Sequence, residues 1–174
     1  MTDTLSEDEI KTLTGLLSKL EPGFLPFDVF VEIARLVVLS IIEFVPLRLN
    51  EKGEIEILLL SRGPDDPIWP NELHVPGTVI RPTDTEDKIY LAFERILKEE
   101  LQDTKTSNLH YVGSNLHPSK RGMEQAQIFW VEVLDEPTTG HFYATEQLPD
   151  NLMESQRKFI QEAIASFRQE KQIN

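Results

Sequence analysis

The spacing of apolar residues in the first third of the chain predicts two helices followed by a β-hairpin. In 6–20 the apolar positions recur at helical intervals, and Ser6 with Glu9 forms a capping box at the start of this segment. A second short helix opens at Pro26 and Phe27, and its apolar face is formed by Val29, Ile33 and Leu36. The β-branched run 37–45 and the segment 55–60 then predict two strands joined by a turn at 51–54.

The middle of the chain combines an irregular loop, a short strand and a long amphipathic helix. The loop 63–70 is rich in proline and aspartate and contains Trp69, and loops of this composition often carry binding sites. A strand interrupted by Pro-Gly follows at 74–80. The segment 83–86 forms a capping box for a helix predicted over 86–101, whose apolar stripe consists of Ile89, Ala92, Phe93, Ile96 and Leu97.

The last third predicts two further strands and a terminal helix. The strands are expected near 109–112 and over 127–134, with a turn at 137–140. The terminal helix is expected over 152–168. Its buried side is predicted to consist of Met153, Phe159, Ile160, Ala163, Ile164 and Phe167.

Length and hydropathy indicate one domain over 1–174, with a helical extension at 1–36 and a core at 37–174. The longest uncharged apolar stretch is 36–42, too short to span a bilayer. The acidic N-terminus is unlike a secretory signal, so we expect a cytoplasmic protein. The absence of cysteine excludes disulfides, thiolate metal sites and a cysteine nucleophile.

The formal net charge of −13 disfavours a nucleic-acid polymer as partner, because the phosphate backbone is repelled at long range. A surplus of carboxylates suits a protein that recruits divalent cations. The alternative interpretation is a solvated acidic surface that aids solubility, and charge alone does not decide between the two.

Residues 76–102 resemble the signature of the Nudix family, Gly-x5-Glu-x7-Arg-Glu-U-x-Glu-Glu-x-Gly-U, where U is a large aliphatic residue. The segment 74–79 is similar to the strand and loop that enter this motif, and 95–100, Arg-Ile-Leu-Lys-Glu-Glu, follows its core. Asp87 stands where the family has its first glutamate. Segments 58–62, 129–133 and 142–149 are similar to later parts of the family's fold, so the resemblance extends over about 37–167.

The motif departs from the family at three places. Ile96 replaces the glutamate after the arginine, nine residues instead of five separate Gly77 from Asp87, and Gln102 replaces the glycine that ends the helix in the left-handed conformation. The segment 93–96 also resembles the variant in GDP-mannose mannosyl hydrolases, where the residue after the arginine is aliphatic and the later glutamate still binds one metal ion.

The resemblance implies an α+β fold, a Nudix-type α/β/α sandwich with a mixed sheet, and a magnesium or manganese site on the predicted helix. Arg95, Glu99 and Glu100 are the expected catalytic residues, and Glu99 and Glu100 the expected metal ligands. Helical spacing places Arg95 beside Glu99 and Ile96 beside Glu100, so we expect Arg95 to hold Glu99 while Glu100 faces the metal. An ordinary surface pair of Arg95 and Glu99 is the alternative.

Further candidates lie outside the motif helix. Arg62, Trp69, His74 and Gly77 are expected to contact substrate, with Trp69 able to stack on a nucleobase. Glu136 is expected as an additional metal ligand from a late loop. Four other residues have side chains suited to acid–base chemistry or anion binding, without a spacing that singles them out: His117, Lys120, Arg121 and His141.

Two functions remain open at this point. The first is a magnesium-dependent hydrolase of a nucleoside diphosphate linked to another moiety, with water attacking a phosphorus or a sugar carbon. The second is a Nudix-like nucleotide-binding or regulatory module that has lost hydrolysis, because Ile96 removes a carboxylate and fold does not imply function. A small nucleotide is the expected partner in both, no membrane is involved, and a homodimer is compatible with the sequence.

Overall fold

A seven-stranded mixed sheet with helices on both faces forms the body of the protein, as a computed structural model that describes residues 5–84 and 89–173 shows. This confirms the expected α+β sandwich. In chain order the elements are α1 (Glu7–Leu17), α2 (Phe27–Ala34), β1 (Val38–Leu49), β2 (Ile55–Ser61), β3 (Leu73–His74), β4 (Gly77–Val79), α3 (Tyr90–Arg95), a π-helical turn (Ile96–Glu100), β5 (His110–Pro118), β6 (Met123–Glu132), β7 (His141–Ala144) and α4 (Glu154–Lys171).

The long strand β1 organises the sheet. One edge of β1 pairs in parallel with β6 along almost its whole length, and the other edge pairs antiparallel with β4 and then with β2. The sheet order is β3-β2-β1-β6-β5, and β7 pairs with β2. The predicted hairpin of β1 and β2 is confirmed, and Asn50 closes its turn by accepting hydrogen bonds from the backbone N–H groups of Lys52 and Glu54.

Two hydrophobic cores lie on opposite faces of the sheet because β1 alternates its side chains between them. Leu39, Ile41, Val45 and Leu47 face α4, and every residue predicted for the buried side of α4 is buried. On the other face, Ile42 and Phe44 pack against the helix that carries the motif. The sheet is thus covered by a helix on each side, as the sequence predicts.

The motif helix changes its winding at Ile96. After α3 the chain forms a π-helical turn, in which the Leu101 N–H donates to the Ile96 carbonyl oxygen at 3.0 Å. Ile96 is fully buried in the second core, whereas Glu100 is only half-buried. Ile96 therefore packs in the apolar core, whereas Glu100, four residues later, lies at its edge with part of its side chain exposed.

The structure describes the end of the motif helix but not all of its predicted start. The predicted start at Glu86, with Asp87 and part of the capping box, lies outside the described residues. At the other end Gln102 has φ 49° and Asp103 has φ 60°. The helix therefore ends in the left-handed backbone conformation that the family's glycine would adopt, although neither residue is glycine.

The N-terminal extension forms both predicted helices, with limited packing. The capping box of Ser6 and Glu9 is confirmed, but α1 has no buried residue. Helix α2 ends at Ala34, so Leu36 lies beyond the helix and is exposed. Across the described ranges, none of the helices combines the length and apolarity that a membrane span requires.

The burial of Ile96 yields a stability prediction. We expect Ile96→Glu to lower the free energy of unfolding by at least about 3 kcal/mol, roughly 6–12 °C in melting temperature, because a carboxylate would enter an apolar core without partners. The matched control is Tyr90→Glu, which adds the same charge at an exposed position of the same helix and should change the melting temperature little. Equal melting temperatures, or a gain in magnesium binding by Ile96→Glu, would contradict this placement.

Candidate active site

A polar cavity of about 50 Å³ lies where β1, β4 and the start of α4 meet. Its wall contains the predicted substrate residues Arg62, His74 and Gly77 and the further candidate Arg121. It also contains Glu43 and Gln156, which the sequence did not single out. The cavity therefore brings together polar side chains from distant parts of the chain.

Glu43 is the most deeply buried charged group of the cavity. It occupies a position of β1 that faces the α4 core, and its Oε2 atom has no hydrogen-bond partner among residues 5–84 and 89–173. Oε1 accepts a 3.4 Å hydrogen bond from the Gln156 amide, whose own oxygen accepts from the Val75 N–H. Burial raises the pKa of Glu43 well above its usual range, and the charges of Glu124 and Glu100 raise it further.

Glu100 approaches the same region from the motif helix. Burial raises the pKa of its carboxyl, and the neighbouring Glu99 adds to this effect. The positive charge of Arg62 and an interaction with the backbone N–H of Gly77 oppose it. Because the charge of Glu100 raises the pKa of Glu43, the two carboxylates are electrostatically coupled.

Gly77 allows the two carboxylates to approach β4. In the sheet it lies opposite Glu43, and a Cβ atom built at Gly77 would stand 2.2 Å from Glu43 Oε2 and 3.0 Å from the Ile42 carbonyl oxygen. Any larger residue would occupy the space of the Glu43 carboxylate. The Pro-Gly interruption in the sequence thus marks a close approach of backbone to a buried charge.

Arg62 and His74 line the cavity at the β2–β3 edge. His74 is buried, and its Nδ1 contacts the Val75 carbonyl oxygen at 2.8 Å, which fixes the proton on Nδ1 when the ring is neutral. Burial, followed by the charge of Arg62, lowers the pKa of His74 to about 4. At neutral pH His74 is therefore uncharged, and Arg62 supplies positive charge at this edge.

Trp69 lines a larger pocket and lies near two arginines of the cavity, Arg62 and Arg121. Asp66 accepts hydrogen bonds from the Ile68 and Trp69 N–H groups at 3.0 and 2.8 Å, which fixes the proline-rich loop and turns the indole inward. Trp69 is only 8% exposed, and its ring lines an open pocket of about 570 Å³ with Glu72 and the start of α4. Its predicted stacking on a base remains a proposal.

Arg95 does not hold Glu99, contrary to the sequence prediction. Its guanidinium binds the Asp84 carboxylate through two hydrogen bonds of 2.6 and 2.7 Å, and it also donates to the Val79 carbonyl oxygen. The Glu99 side chain is exposed. A bidentate pair with a nearly buried carboxylate is stronger than an exposed pair along one helix, so Arg95 fastens the loop after β4 to the motif helix.

Glu136 lies outside the cavity, contrary to the expectation of an additional metal ligand. Its carboxylate is exposed and pairs with Arg48 at 2.8 Å. Arg48 is five residues beyond Glu43 on β1, which corresponds to roughly 16 Å along a strand. Glu136 therefore cannot share an ion with Glu100.

The donor set of the cavity suits a divalent cation that also binds substrate. In residues 5–84 and 89–173, no cluster of three or more His, Cys, Asp or Glu side chains could enclose a metal ion. The coupled carboxylates and the unpartnered Oε2 of Glu43 nevertheless offer hard oxygen ligands. Magnesium often uses one or two carboxylates with waters and phosphate oxygens, so the residues present fit this ion.

A sequence signal for the residues that were missed does exist. Glu43 interrupts a run of alternate core-facing residues in β1, and Glu124 does so in β6, where Ala126, Ile128 and Trp130 are buried. Gln156 stands one helical turn before the buried Phe159 and Ile160 of α4. A polar residue at a core-facing position is the informative observation, because its burial requires a partner or a function.

Gly77 provides a test of this geometry. We expect Gly77→Ala to lower the free energy of unfolding by about 1–3 kcal/mol, because the added methyl group must displace the buried Glu43 carboxylate. Gly113→Ala is the matched control, since a Cβ atom at this β5 position meets no atom within 4 Å. Chemical denaturation of both variants measures the difference, and equal stabilities would show that the approach is not constrained.

The low pKa of His74 predicts a loss of stability in mild acid. The folded-state pKa of about 4 lies below the ordinary value of 6.5, so the unfolded chain binds the proton more readily between these values. His74 should remove about 1.4 kcal/mol of stability for each pH unit from 6.5 down to 4. We expect His74→Gln to lose this part of the pH dependence and the exposed His141→Gln to keep it; identical unfolding curves for the two variants would contradict the assignment.

Comparisons with known proteins identify the fold. No family model matches the chain, and no curated protein matches its sequence. Among solved structures, a mutT/nudix family protein from Listeria innocua is 20% identical, with a TM-score of 0.62 over 76% of this chain and 95% of that one. A C. elegans Ap4A hydrolase is 18% identical, with a TM-score of 0.57 over 75% and 98%. The NUDIX domain of Shewanella oneidensis NrtR, complexed with ADP ribose, is 14% identical, with a TM-score of 0.55 over 94% and 99%.

The sandwich and the element order of this chain agree with these structures over three quarters or more of its length. Because the sequence identities are 20% or less, these comparisons establish the fold alone. The chain has the Nudix fold.

Proposed function

We propose that the chain is a magnesium-dependent hydrolase of a nucleoside diphosphate linked to another moiety. One observation carries this proposal. Glu43, from β1, lines a cavity that also contains guanidinium groups, and Glu100, from the motif helix, interacts with the backbone N–H of Gly77 in the wall of that cavity. A buried carboxylate pair is costly unless a cation or a proton compensates it, and an Mg²⁺ ion with its substrate phosphate does so.

Glu43 and Glu100 would hold the ion. The fixed position of the Glu43 carboxylate against β4 orients one ligand, and the π-helical turn presents the other. Glu99, at the exposed edge of the same turn, would act through waters of the ion. Arg95 would position the motif helix through its hydrogen bonds to Asp84. In this role it would not contact Glu99, contrary to the sequence prediction.

Arg62 would bind the diphosphate. Its charge already acts on Glu100, and its buried Nε atom has no hydrogen-bond partner in the described part of the chain. The backbone at Gly77 would line the path of the reacting phosphoryl or glycosyl group. When bound, a magnesium ion would polarise a phosphoryl oxygen and stabilise charge on the leaving group.

A nucleotide substrate is supported by the structural neighbours. The C. elegans protein is a hydrolase of Ap4A, and the S. oneidensis domain is complexed with ADP ribose. Both compounds contain adenosine joined through phosphates to a second group. The bond that is cleaved, at phosphorus or at a sugar carbon, is the part of the proposal that product analysis would decide.

A nucleotide-binding module without hydrolysis is the second candidate, and Ile96 favours it. The buried Ile96 leaves the motif helix with fewer carboxylates than the family motif provides. A screen of nucleotide sugars, dinucleoside polyphosphates, ADP-ribose and nucleoside triphosphates, with and without magnesium, separates the two. Magnesium-dependent turnover supports the hydrolase, whereas binding without turnover supports the module.

Substitutions of the carboxylate pair test the proposed metal ligands. We expect Glu43→Gln and Glu100→Gln each to weaken magnesium binding by at least about 1.4 kcal/mol, or tenfold in Kd, with a parallel loss of turnover. Glu43→Gln should at the same time leave the melting temperature equal or higher, because it removes a buried charge that lacks a full set of partners.

The control is the exposed Glu94→Gln on the same helix, which should bind magnesium as the wild type does. Calorimetric titration with magnesium and thermal unfolding give both quantities for all three variants. Unchanged magnesium binding by Glu43→Gln and Glu100→Gln would remove this pair from the site.

A further inference from the structure

Arg121, on the turn between β5 and β6, lies between two aromatic rings. Its guanidinium carbon is 5.6 Å from the centre of the Phe30 ring and 4.8 Å from the centre of the Trp69 ring. Its side chain is only 18% exposed. A guanidinium held against aromatic faces is fixed in orientation and remains charged, which distinguishes Arg121 from its exposed neighbour Lys120.

An ion pair fixes the other side of this guanidinium. Nε and Nη2 of Arg121 approach the same oxygen of Glu124, Oε1, at 2.8 and 2.6 Å. Glu124 is buried, and its second oxygen faces His117 at 3.5 Å. Within the described part of the chain, no hydrogen-bond acceptor engages the Nη1 donors of Arg121, while Arg121 itself lines the cavity.

The N-terminal helix α2 sets the position of this turn. Gly122 has φ 147°, and a Cβ atom there would stand 2.3 Å from the carbonyl oxygen of Ala34, the last residue of α2. The turn is therefore seated on the end of α2, and the same helix contributes the Phe30 ring. The extension that precedes the sheet thus contacts the cavity through Arg121.

We propose that Arg121 is a substrate-binding residue that, together with Arg62, binds the oxygens of a diphosphate, and that Phe30 of the N-terminal helix is its positioning residue. Arg62 and Arg121 both line the cavity that contains the Glu43 carboxylate, so two guanidiniums face the same small space. In a chain of net charge −13, this pair of guanidiniums supplies the local positive charge that an anion needs. The inference rests on the proposed function for the identity of its ligand, a diphosphate.

The experiment measures binding of inorganic pyrophosphate at fixed magnesium by calorimetry, which requires no turnover. Arg121→Gln alone would leave Glu124 buried without its partner, so the double variant Arg121→Gln with Glu124→Gln is measured beside it. We expect both to bind pyrophosphate at least about tenfold more weakly than wild type. Glu124→Gln alone should bind as tightly or more tightly, because it releases Arg121 from a competing carboxylate.

The role of Phe30 is tested by substitutions that remove or keep the aromatic ring without truncating the side chain. Phe30→Leu keeps an apolar side chain and removes the aromatic face, whereas Phe30→Tyr keeps that face. We expect Phe30→Leu to raise the Kd for pyrophosphate and the KM of any substrate several-fold with little change in kcat, and Phe30→Tyr to restore both. Phe27→Leu, at an exposed position of the same helix, is the control and should behave as wild type.

Two outcomes would overturn the inference. Wild-type affinity for pyrophosphate in the folded double variant would show that Arg121 only compensates the buried Glu124. Equal KM and Kd for Phe30→Leu and Phe27→Leu would reduce Phe30 to a packing residue. Tight pyrophosphate binding without hydrolysis of any substrate would contradict the proposed hydrolase but keep Arg121 as a pyrophosphate-binding residue. Failure of the proposed function and failure of this inference are therefore distinguishable.

Discussion

The burial of the Glu43 carboxylate is the constraint on which the candidate site depends. An ionised side chain at a core-facing position of the central strand is unfavourable unless neighbouring groups compensate it. Gln156 donates one hydrogen bond, Arg121 supplies positive charge, and Gly77 leaves the space that the carboxylate fills. Among the described residues, Oε2 of Glu43 has no hydrogen-bond partner, which lowers the stability of the fold. Such a loss of stability is common where a protein binds an ion or a substrate.

Neighbouring residues of the motif helix hold it against the sheet in different ways. Ile96 anchors the helix in the core on one side of the sheet, and Arg95 fastens it to the loop after β4 through Asp84. In the π-helical turn that follows, Glu100 interacts with the backbone N–H of Gly77. Ile96, which departs from the family's motif, thus stabilises the position of Glu100, since a fixed backbone holds a carboxylate more accurately than a mobile one.

Positive charge is concentrated beside these carboxylates although the chain is acidic overall. The guanidiniums of Arg62 and Arg121 both lie over the Trp69 ring, at 5.9 and 4.8 Å from its centre, and the low pKa of His74 keeps its imidazole neutral. Guanidinium groups suit phosphate because they present several donors in one plane. An acidic exterior with a local pair of arginines favours small anions that fit the cavity over extended polyanions, which the whole surface repels.

Local patterning along the chain determined the element order, the hairpin of β1 and β2, and the buried side of α4, because these features arise from the spacing of apolar residues and from short-range turn chemistry. It also identified Gly77 and Glu100, whose motif is local. Tertiary structure alone decided that Arg95 binds Asp84 instead of Glu99 and that Glu136 lies far along β1. Such pairings depend on which buried partner a side chain reaches across the fold, and that choice follows from the three-dimensional packing of distant segments around Glu43.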